Sequence, residues 1–351
     1  MLMKKQISLS ELIRILLDTS NPISAKYLYR LSDLCDEDLN EIKNIWLKIP
    51  SWRRQNLLED TEIMSSKDSL LSFAELSKFA LDDPDEHVRA LAIRNLWEIE
   101  DISIVPKLIE MLATDKSEEV RANAASSLGQ YVYLGEIDHL KPNTLHKIED
   151  QLISTYQSHA STLVRSRALE ALGYSSRPEV ESFLHEAYNS GNQGLLISSL
   201  FAMGRSANED WTPYIEKMLS HQNSEIRREA TRAAGELEAK STLPTLFELV
   251  HDEDSEVRRA AIWSLSQIGG SGVRELFLEL FNNSEDDEEE DFLEDAIDNL
   301  AFTEDVGFFT LLDIDEKDTY QLHEEHKEVD FEDPEDFLDL SDYDLDEDET
   351  E

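Results

Sequence analysis

The sequence predicts an all-α fold, a solenoid of stacked helical hairpins, and two observations support that prediction. One short pattern of apolar and small residues recurs along the chain at a nearly constant step, as in repeat architectures. The charge is also divided unevenly: residues 285–351 hold 32 Asp and Glu residues against two lysines, in a chain of 351 residues with a net charge of −45. We therefore expect a folded repeat array followed by an acidic tail.

The repeated pattern is an apolar residue, usually followed by Arg, then Ala four positions after the first residue and a second apolar residue at eight, often with Gly next. Its copies begin at positions 88, 120, 164, 226 and 257, a degenerate copy begins at 195, and Phe292–Leu300 fits a seventh copy. The step is 31 or 32 residues, except for 44 between the second and third copies. Because residues four apart share one helix face, each copy predicts a helix with an apolar stripe.

A second amphipathic segment precedes the copies, and Pro106, Pro213 and Pro244 stand in its first turn, where a helix tolerates proline. A step of this length fits one helical hairpin, which can bury its apolar side only by stacking on neighbours. The long step predicts an inserted loop over Tyr131–Pro142. Aspartates five residues before the stripe are expected to cap the following helices: Asp83, Asp115, Asp252 and Asp287.

The domain organisation follows from where the repeated pattern and the acidic segment begin and end. Residues 1–69 have helical patterning without the repeat and are predicted to form an N-terminal helical cap. Residues 70–303 are predicted to be a solenoid of about seven hairpins. Residues 304–351 are predicted to be an acidic tail, mostly disordered, because their charge density prevents a compact core.

The Asp-x-x-x-x-Val-Arg-x-x-Ala-x-x-x-Leu-Gly pattern, with Pro in the preceding helix, resembles the HEAT-like repeats first associated with phycobilisome linker and bilin lyase proteins. The resemblance covers roughly residues 70–301 and implies an α-solenoid. It implies less about activity, because one repeat fold serves scaffolds, transport receptors, regulatory subunits and a few enzymes.

The composition and motifs argue against catalysis and against several classes of partner. A net charge of −45 repels nucleic-acid phosphates and anionic lipid, and no segment has the apolar length of a membrane span. His-Glu pairs occur only at His185-Glu186 and His323-Glu324, unlike the repeated pairs of the HEAT-repeat hydroxylases that this fold also resembles. The sequence therefore predicts a non-enzymatic cytoplasmic protein with no cofactor and no metal site.

The predicted binding surface lies on the second helices, which usually line the concave side of such arrays. Residues two and six positions after the start of each copy should face this groove. Arg and aromatic residues at these positions are typical of protein-binding hot spots. The candidate partner-binding residues are Arg94, Phe201, Arg228, Arg232, Arg259 and Trp263.

The function predicted from the sequence is a protein-protein interaction scaffold or adaptor, with the acidic tail as a possible modulator. Phe331, Phe337 and Tyr343 are spaced among the acids of the tail and could occupy the groove. Two alternatives stay open at this point. One is an acidic chaperone-like binder of basic proteins, and the other is a lyase-like enzyme subunit.

Overall fold

The computed structural model describes residues 7–158, 160–284 and 286–311, with side chains up to position 303. Across these ranges the secondary structure is helical and contains no strand, which confirms the predicted all-α class. The first helices in the chain are α1 (Leu9–Leu17), α2 (Ala25–Leu28), α3 (Asp36–Ile45) and α4 (Ser51–Lys67). The predicted tail lies outside the described residues, except for its first eight positions, 304–311.

Seven hairpins follow, each made of a first and a second helix, as the repeat predicts. They are α5 (Ala74–Ala80) with α6 (Glu86–Arg94), α7 (Val105–Thr114) with α8 (Glu118–Glu136), α9 (Pro142–Gln157) with α10 (Thr162–Ala171), α11 (Pro178–Tyr188) with α12 (Gln193–Arg205), α13 (Thr212–Met218) with α14 (Ser224–Glu236), α15 (Leu243–Leu249) with α16 (Ser255–Ile268), and α17 (Val273–Asn283) with α18 (Asp287–Leu311). Residues 1–300 form one compact unit, and of a second unit, 301–351, only the end of α18 is described.

The apolar stripes form a core that runs along the solenoid. In the first copy Val88, Ala92 and Leu96 are fully buried, and the corresponding residues of the following copies are buried too. The second helices from α6 to α16 pack on their own first helices, and those from α6 to α14 also pack on the second helix of the next hairpin. In α18 the buried residues are Leu293, Ala296 and Leu300, so the predicted seventh copy keeps Ala296 and Leu300, and Leu293 instead of Phe292 is its first buried residue.

The predicted loop at Tyr131–Pro142 is wrong. The additional residues lengthen two helices instead: α8 has 19 residues and α9 has 16, joined by a short connection. Tyr131, Val132 and Leu134 continue the apolar face of α8 and are buried, so helix is the conformation that removes them from water. The Tyr131 hydroxyl donates to the carbonyl oxygens of Ile99 and Asp101, which ties this extension to the preceding hairpin.

The sequence analysis expected Asp83, Asp115, Asp252 and Asp287 to cap helices, but the first three do not cap a helix directly, and Asp287 is the first residue of α18. The N-cap residues lie two positions later, at Asp85, Ser117 and Asp254, and their side chains accept backbone N–H groups of the helix. The earlier aspartates accept the backbone N–H of those cap residues and so hold the turn.

Ion pairs join successive hairpins at this edge. Arg89 binds Asp115 through two hydrogen bonds of 2.9 and 2.8 Å, and Arg227 binds Asp252 with the same two distances. We call this series of ion pairs the ladder. It is interrupted in the middle of the chain, where Arg165 instead donates a hydrogen bond to the carbonyl oxygen of Tyr156 at 2.8 Å.

The N-terminal helices contain a degenerate copy of the repeat that the sequence analysis missed. Arg53, Leu57 and Thr61 of α4 are buried at a spacing of four, as in the stripes that follow. Arg54 pairs with Asp83 at 2.9 Å, in the manner of the ladder. The guanidinium of Arg53 donates to the carbonyl oxygens of Ile15, Leu16 and Asn21, which satisfies the C-terminal end of α1.

Glycine at the end of the second helices permits close contact between neighbouring backbones. A Cβ on Gly173 would lie 2.9 Å from Cα of Ala202, and one on Gly204 would lie 2.8 Å from Cα of Ala233. Both distances are shorter than a real Cβ makes, so any larger residue would push the helices apart. The same joint recurs from Gly129 to Ala171.

Candidate partner-binding site

The second helices α6, α8, α10, α12, α14 and α16 lie side by side, and their shared surface is called the groove face here. Of the two rows predicted to line it, the row two residues after each start is buried in the first three copies, at Ala90, Ala122 and Ser166, and partly buried in the next three, at Ile197, Arg228 and Arg259. The row six residues after the start is accessible. A third row, ten residues after the start, extends it by one helical turn: Glu98, Gln130, Tyr174, Arg205, Glu236 and Gln267.

A cavity of about 670 Å³ opens on the groove face between the ends of α6, α8, α10 and α12. Four aromatic side chains line it, together with charged and small residues from the same helices. The lining aromatic residues are Trp97, Tyr133, Tyr174 and Phe201, and the others include Glu98, Glu100, Gln130, Arg167, Glu170 and Arg205. We refer to it as the aromatic cavity.

The position of the aromatic cavity follows from two departures from the repeat. The lengthened α8 carries Tyr133 beyond the point where other second helices end. In the first copy, Trp97 stands nine residues after Val88, where later copies have the glycine of the close joint. Between them the floor is formed by Gly129 and Ala171, whose small size leaves the space open.

An arginine is stacked on the aromatic side chains of this cavity. The guanidinium carbon of Arg205 lies 4.2 Å from the ring centroid of Phe201 and 5.1 Å from that of Tyr174. The rings of Tyr174 and Tyr133 are 5.1 Å apart. Arg205 Nε has no hydrogen-bond acceptor within the described residues and is 3.9 Å from a Glu236 oxygen. The ion pair of Arg205 is therefore a long one.

Carboxylates gather beside the cavity on α10 and α14. Glu170 accepts hydrogen bonds from Arg167 at 2.5 Å and from the Ser198 hydroxyl at 2.7 Å. Glu229 is 6% exposed, and this burial raises its pKa to about 7, with Arg232 and Arg228 opposing the rise. The groove face thus holds a buried carboxyl group that is half ionised near neutral pH.

The family model for HEAT repeats matches residues 73–150 and 212–297 of this chain. This is a HEAT-repeat protein. The match confirms the resemblance drawn from the repeated motif. It leaves out residues 151–211, yet α10 and α12 of that segment stack on their neighbours as the other second helices do.

Several solved structures match the chain at low sequence identity and with TM-scores below 0.5. The YibA protein of Escherichia coli is 20% identical over 81% of this chain and 99% of its own, with a TM-score of 0.42. The CpcE–CpcF complex of phycocyanin lyase from Nostoc sp. is 20% identical over 65% of this chain and 94% of that one, with a TM-score of 0.44. Human deoxyhypusine hydroxylase in complex with glycerol is 17% identical over 74% and 95%, with a TM-score of 0.33. No curated protein sequence matches the chain significantly.

Of the six residues predicted to bind a partner, only Phe201 lines the aromatic cavity. Arg94 is engaged by Glu62 through hydrogen bonds of 2.9 and 2.7 Å. Arg232 is exposed on α14, and Arg228 Nε is buried with no hydrogen-bond acceptor in the described part of the chain.

The remaining two predicted residues pack against α18. Arg259 stacks on Phe292, with its guanidinium carbon 4.0 Å from the ring centroid. Trp263 lies 6.4 Å from the same ring and is 40% exposed. The sequence analysis missed Trp97, Tyr133, Tyr174 and Arg205, although Tyr174 and Arg205 belong to the row one helical turn beyond the one considered.

The His185-Glu186 pair, which resembles a metal-binding motif in the sequence, is engaged in contacts with other residues of the fold. The imidazole of His185 packs 4.8 Å from the ring of Trp211 and 5.2 Å from that of Tyr214, and Glu186 is 3.6 Å from Arg165. No group of three or more His, Cys, Asp or Glu side chains suited to a metal ion occurs in the described ranges. His323-Glu324 lies outside them. In the same ranges, no helix combines the length and the apolar character that crossing a membrane needs.

Proposed function

We propose that this HEAT-repeat protein is a non-catalytic scaffold that binds a segment of a partner protein on its groove face, with a side chain of the partner in the aromatic cavity. The observation that carries the proposal is the cavity itself. It combines four aromatic side chains with Arg205 on a surface built by four successive hairpins. Clustered aromatic and Arg side chains in a concave site are typical of binding hot spots.

The exposure of these side chains supports a ligand from outside the chain. Trp97 is 49% exposed and Tyr133 is 44% exposed, although buried aromatic surface would stabilise the fold. The small floor residues Gly129 and Ala171 preserve the space. A partner side chain would remove this apolar surface from water, and the neighbouring rows would contact the flanking residues of the segment.

Site-specific photo-cross-linking tests the proposal. A photoreactive phenylalanine analogue replaces Tyr133 in the cavity or, as a matched control, Tyr29, which is 55% exposed in the N-terminal helices. In cells that make this protein naturally, we expect irradiation to give a discrete adduct from position 133 and none from position 29. Mass spectrometry then identifies the partner.

The substitution Phe201→Ala supplies the second half of the test. It removes an aromatic wall of the cavity and should lower the adduct yield at position 133 several-fold while leaving helicity unchanged. Equal adducts from positions 133 and 29, or a yield that is insensitive to Phe201, would exclude the cavity as the contact. The alternative of an acidic chaperone-like binder depends on residues 304–351, and deleting 313–351 distinguishes it, because that binding would be lost.

A further inference from the structure

The aromatic cavity already accommodates one cation supplied by the chain. Arg205 is placed against Phe201 and Tyr174 at 4.2 and 5.1 Å, distances at which a guanidinium is attracted to an aromatic ring. The same pairing recurs where Arg259 stacks on Phe292 at 4.0 Å. Stacking of arginine on aromatic rings is therefore a repeated feature of the groove face.

The opposite end of the cavity has the same kind of lining without a cation of its own. Trp97 and Tyr133 are both about half exposed there, and Glu98 and Glu100 are exposed beside them. Neither carboxylate forms an ion pair or a hydrogen bond with any residue in the described ranges. The two basic residues of the lining already have carboxylate partners, Glu170 for Arg167 and Glu236 for Arg205.

We infer that the end of the aromatic cavity formed by Trp97, Tyr133, Glu98 and Glu100 binds an arginine side chain from a basic segment of the partner protein. The inference rests on the proposed function and adds the chemistry of the ligand. A guanidinium is planar, stacks on aromatic rings and donates hydrogen bonds in a fork that matches carboxylates. The exposed aromatic rings and the unpaired carboxylates would then both acquire a partner.

Charge complementarity favours this occupant over an acidic one. The chain carries a net charge of −45, so a basic segment is attracted and an acidic segment is repelled. A carboxylate ligand would also have to compete with Glu170 for Arg167 and with Glu236 for Arg205. The acidic tail segment with Phe331, Phe337 and Tyr343, which the sequence analysis considered as an occupant of the groove, therefore fits the charges at this end of the cavity less well.

A pair of synthetic peptides separates recognition of arginine from attraction to net charge. The first is a fluorescein-labelled peptide of repeated Gly-Ser-Arg triplets, and the second replaces one central arginine by citrulline, which keeps the shape and loses the charge. A third carries lysine at that position. With the full chain at physiological ionic strength, we expect fluorescence anisotropy to show the arginine peptide binding about tenfold more tightly than the citrulline peptide.

Variants of matched charge locate the site. Glu98→Gln with Glu100→Gln removes two exposed carboxylates from the cavity, and Glu181→Gln with Glu248→Gln removes two exposed carboxylates from the first helices α11 and α15. The cavity variant should abolish the difference between arginine and citrulline, while the control variant keeps it. Trp97→Ala should reduce the difference several-fold, with melting temperature as the check on folding.

Three results would overturn the inference: equal affinities for the arginine and citrulline peptides, equal losses in the cavity and control variants, or a lysine peptide that binds as tightly as the arginine peptide or more tightly. They leave the proposed function intact if photo-cross-linking at position 133 still captures a partner. If photo-cross-linking captures no partner but the chain still prefers the arginine peptide, the proposed function is rejected and the arginine-binding site is retained.

Discussion

The middle and the last repeats place similar residues on the groove face with different results. In the middle repeats, Arg205 stacks on Tyr174 and Phe201, and the cavity remains open beside them. In the last repeats, Arg259 and Trp263 approach Phe292, and that ring takes up the stacking surface of Arg259. Arg and aromatic residues on the same groove face therefore form an open cavity in one place and a packed surface in the other.

The difference lies in the backbone that carries these residues. The lengthened α8 and α9 break the regular step in the middle of the array, and Trp97 replaces a joint glycine at its edge. The last repeats keep the regular step, so each second helix is covered by the next. Residue type alone is thus a weaker guide to a site than residue type combined with an irregularity in the repeat.

The largest expected effect concerns the close joints of the middle repeats. Gly173→Ala places a Cβ 2.9 Å from Cα of Ala202, which neither backbone can avoid without moving, so we expect a loss of about 3 kcal/mol in stability. Thermal melting measures it. The control is Gly194→Ala in α12, whose Cβ would approach nothing closer than 3.4 Å. Equal destabilisation of both variants would show that the joint is not as tight as described.

The interrupted ion-pair ladder gives the next contrast. Asp252→Asn in the last repeats removes the charge that binds Arg227 in a largely buried site and should cost about 2 kcal/mol. The matched change Glu186→Gln in the middle repeats affects a partner of Arg165 that is 63% exposed and should have little effect.

Because Arg227 lowers the pKa of Asp252, the stability supplied by this pair is lost as pH falls through the acidic range. Urea denaturation at neutral and at acidic pH tests both statements.

Partner binding should separate the two regions directly. Phe201→Ala in the aromatic cavity should weaken binding of the cross-linked partner about tenfold, which is about 1.4 kcal/mol. Trp263→Ala in the last repeats should weaken it less than twofold, since that side chain lies against Phe292. Titration with the purified partner gives both constants. A larger loss of affinity for Trp263→Ala than for Phe201→Ala would instead support the binding site predicted from the sequence.

The smallest effect concerns a position three residues after the start of each copy, where α14 carries Glu229 and α10 carries Arg167. Burial raises the pKa of Glu229 to about 7, so the folded chain keeps this proton while the unfolded chain loses it near pH 4.5. Stability therefore falls as pH rises from about 4.5 to 7. Glu229→Gln should stabilise the protein by about 1 kcal/mol at pH 8 and not at pH 4.5, because the buried carboxylate is charged only at the higher pH and glutamine carries no charge to bury. A melting temperature difference that is the same at both pH values would contradict this.

More of the fold than of the candidate site could be predicted from the sequence. The stripe of Val88, Ala92 and Leu96 and its copies predict both the helices and their stacking, because a spacing of four has only one interpretation on a helix. The cavity depends on how far α8 extends, and the sequence does not show whether extra residues lengthen a helix or form a loop. Trp97 could have been noticed, since it stands where later copies have glycine.

The α9–α10 and α11–α12 hairpins each carry both halves of the joint that connects them to their neighbours. The hairpin ending in Gly173 also presents Ala171 to the preceding glycine, and the next one combines Ala202 with Gly204 in the same way. A duplicated hairpin would therefore stack on its parent without any compensating substitution. The joint is therefore modular in this part of the array, whereas the extension of α8 and α9 has no counterpart in the neighbouring hairpins.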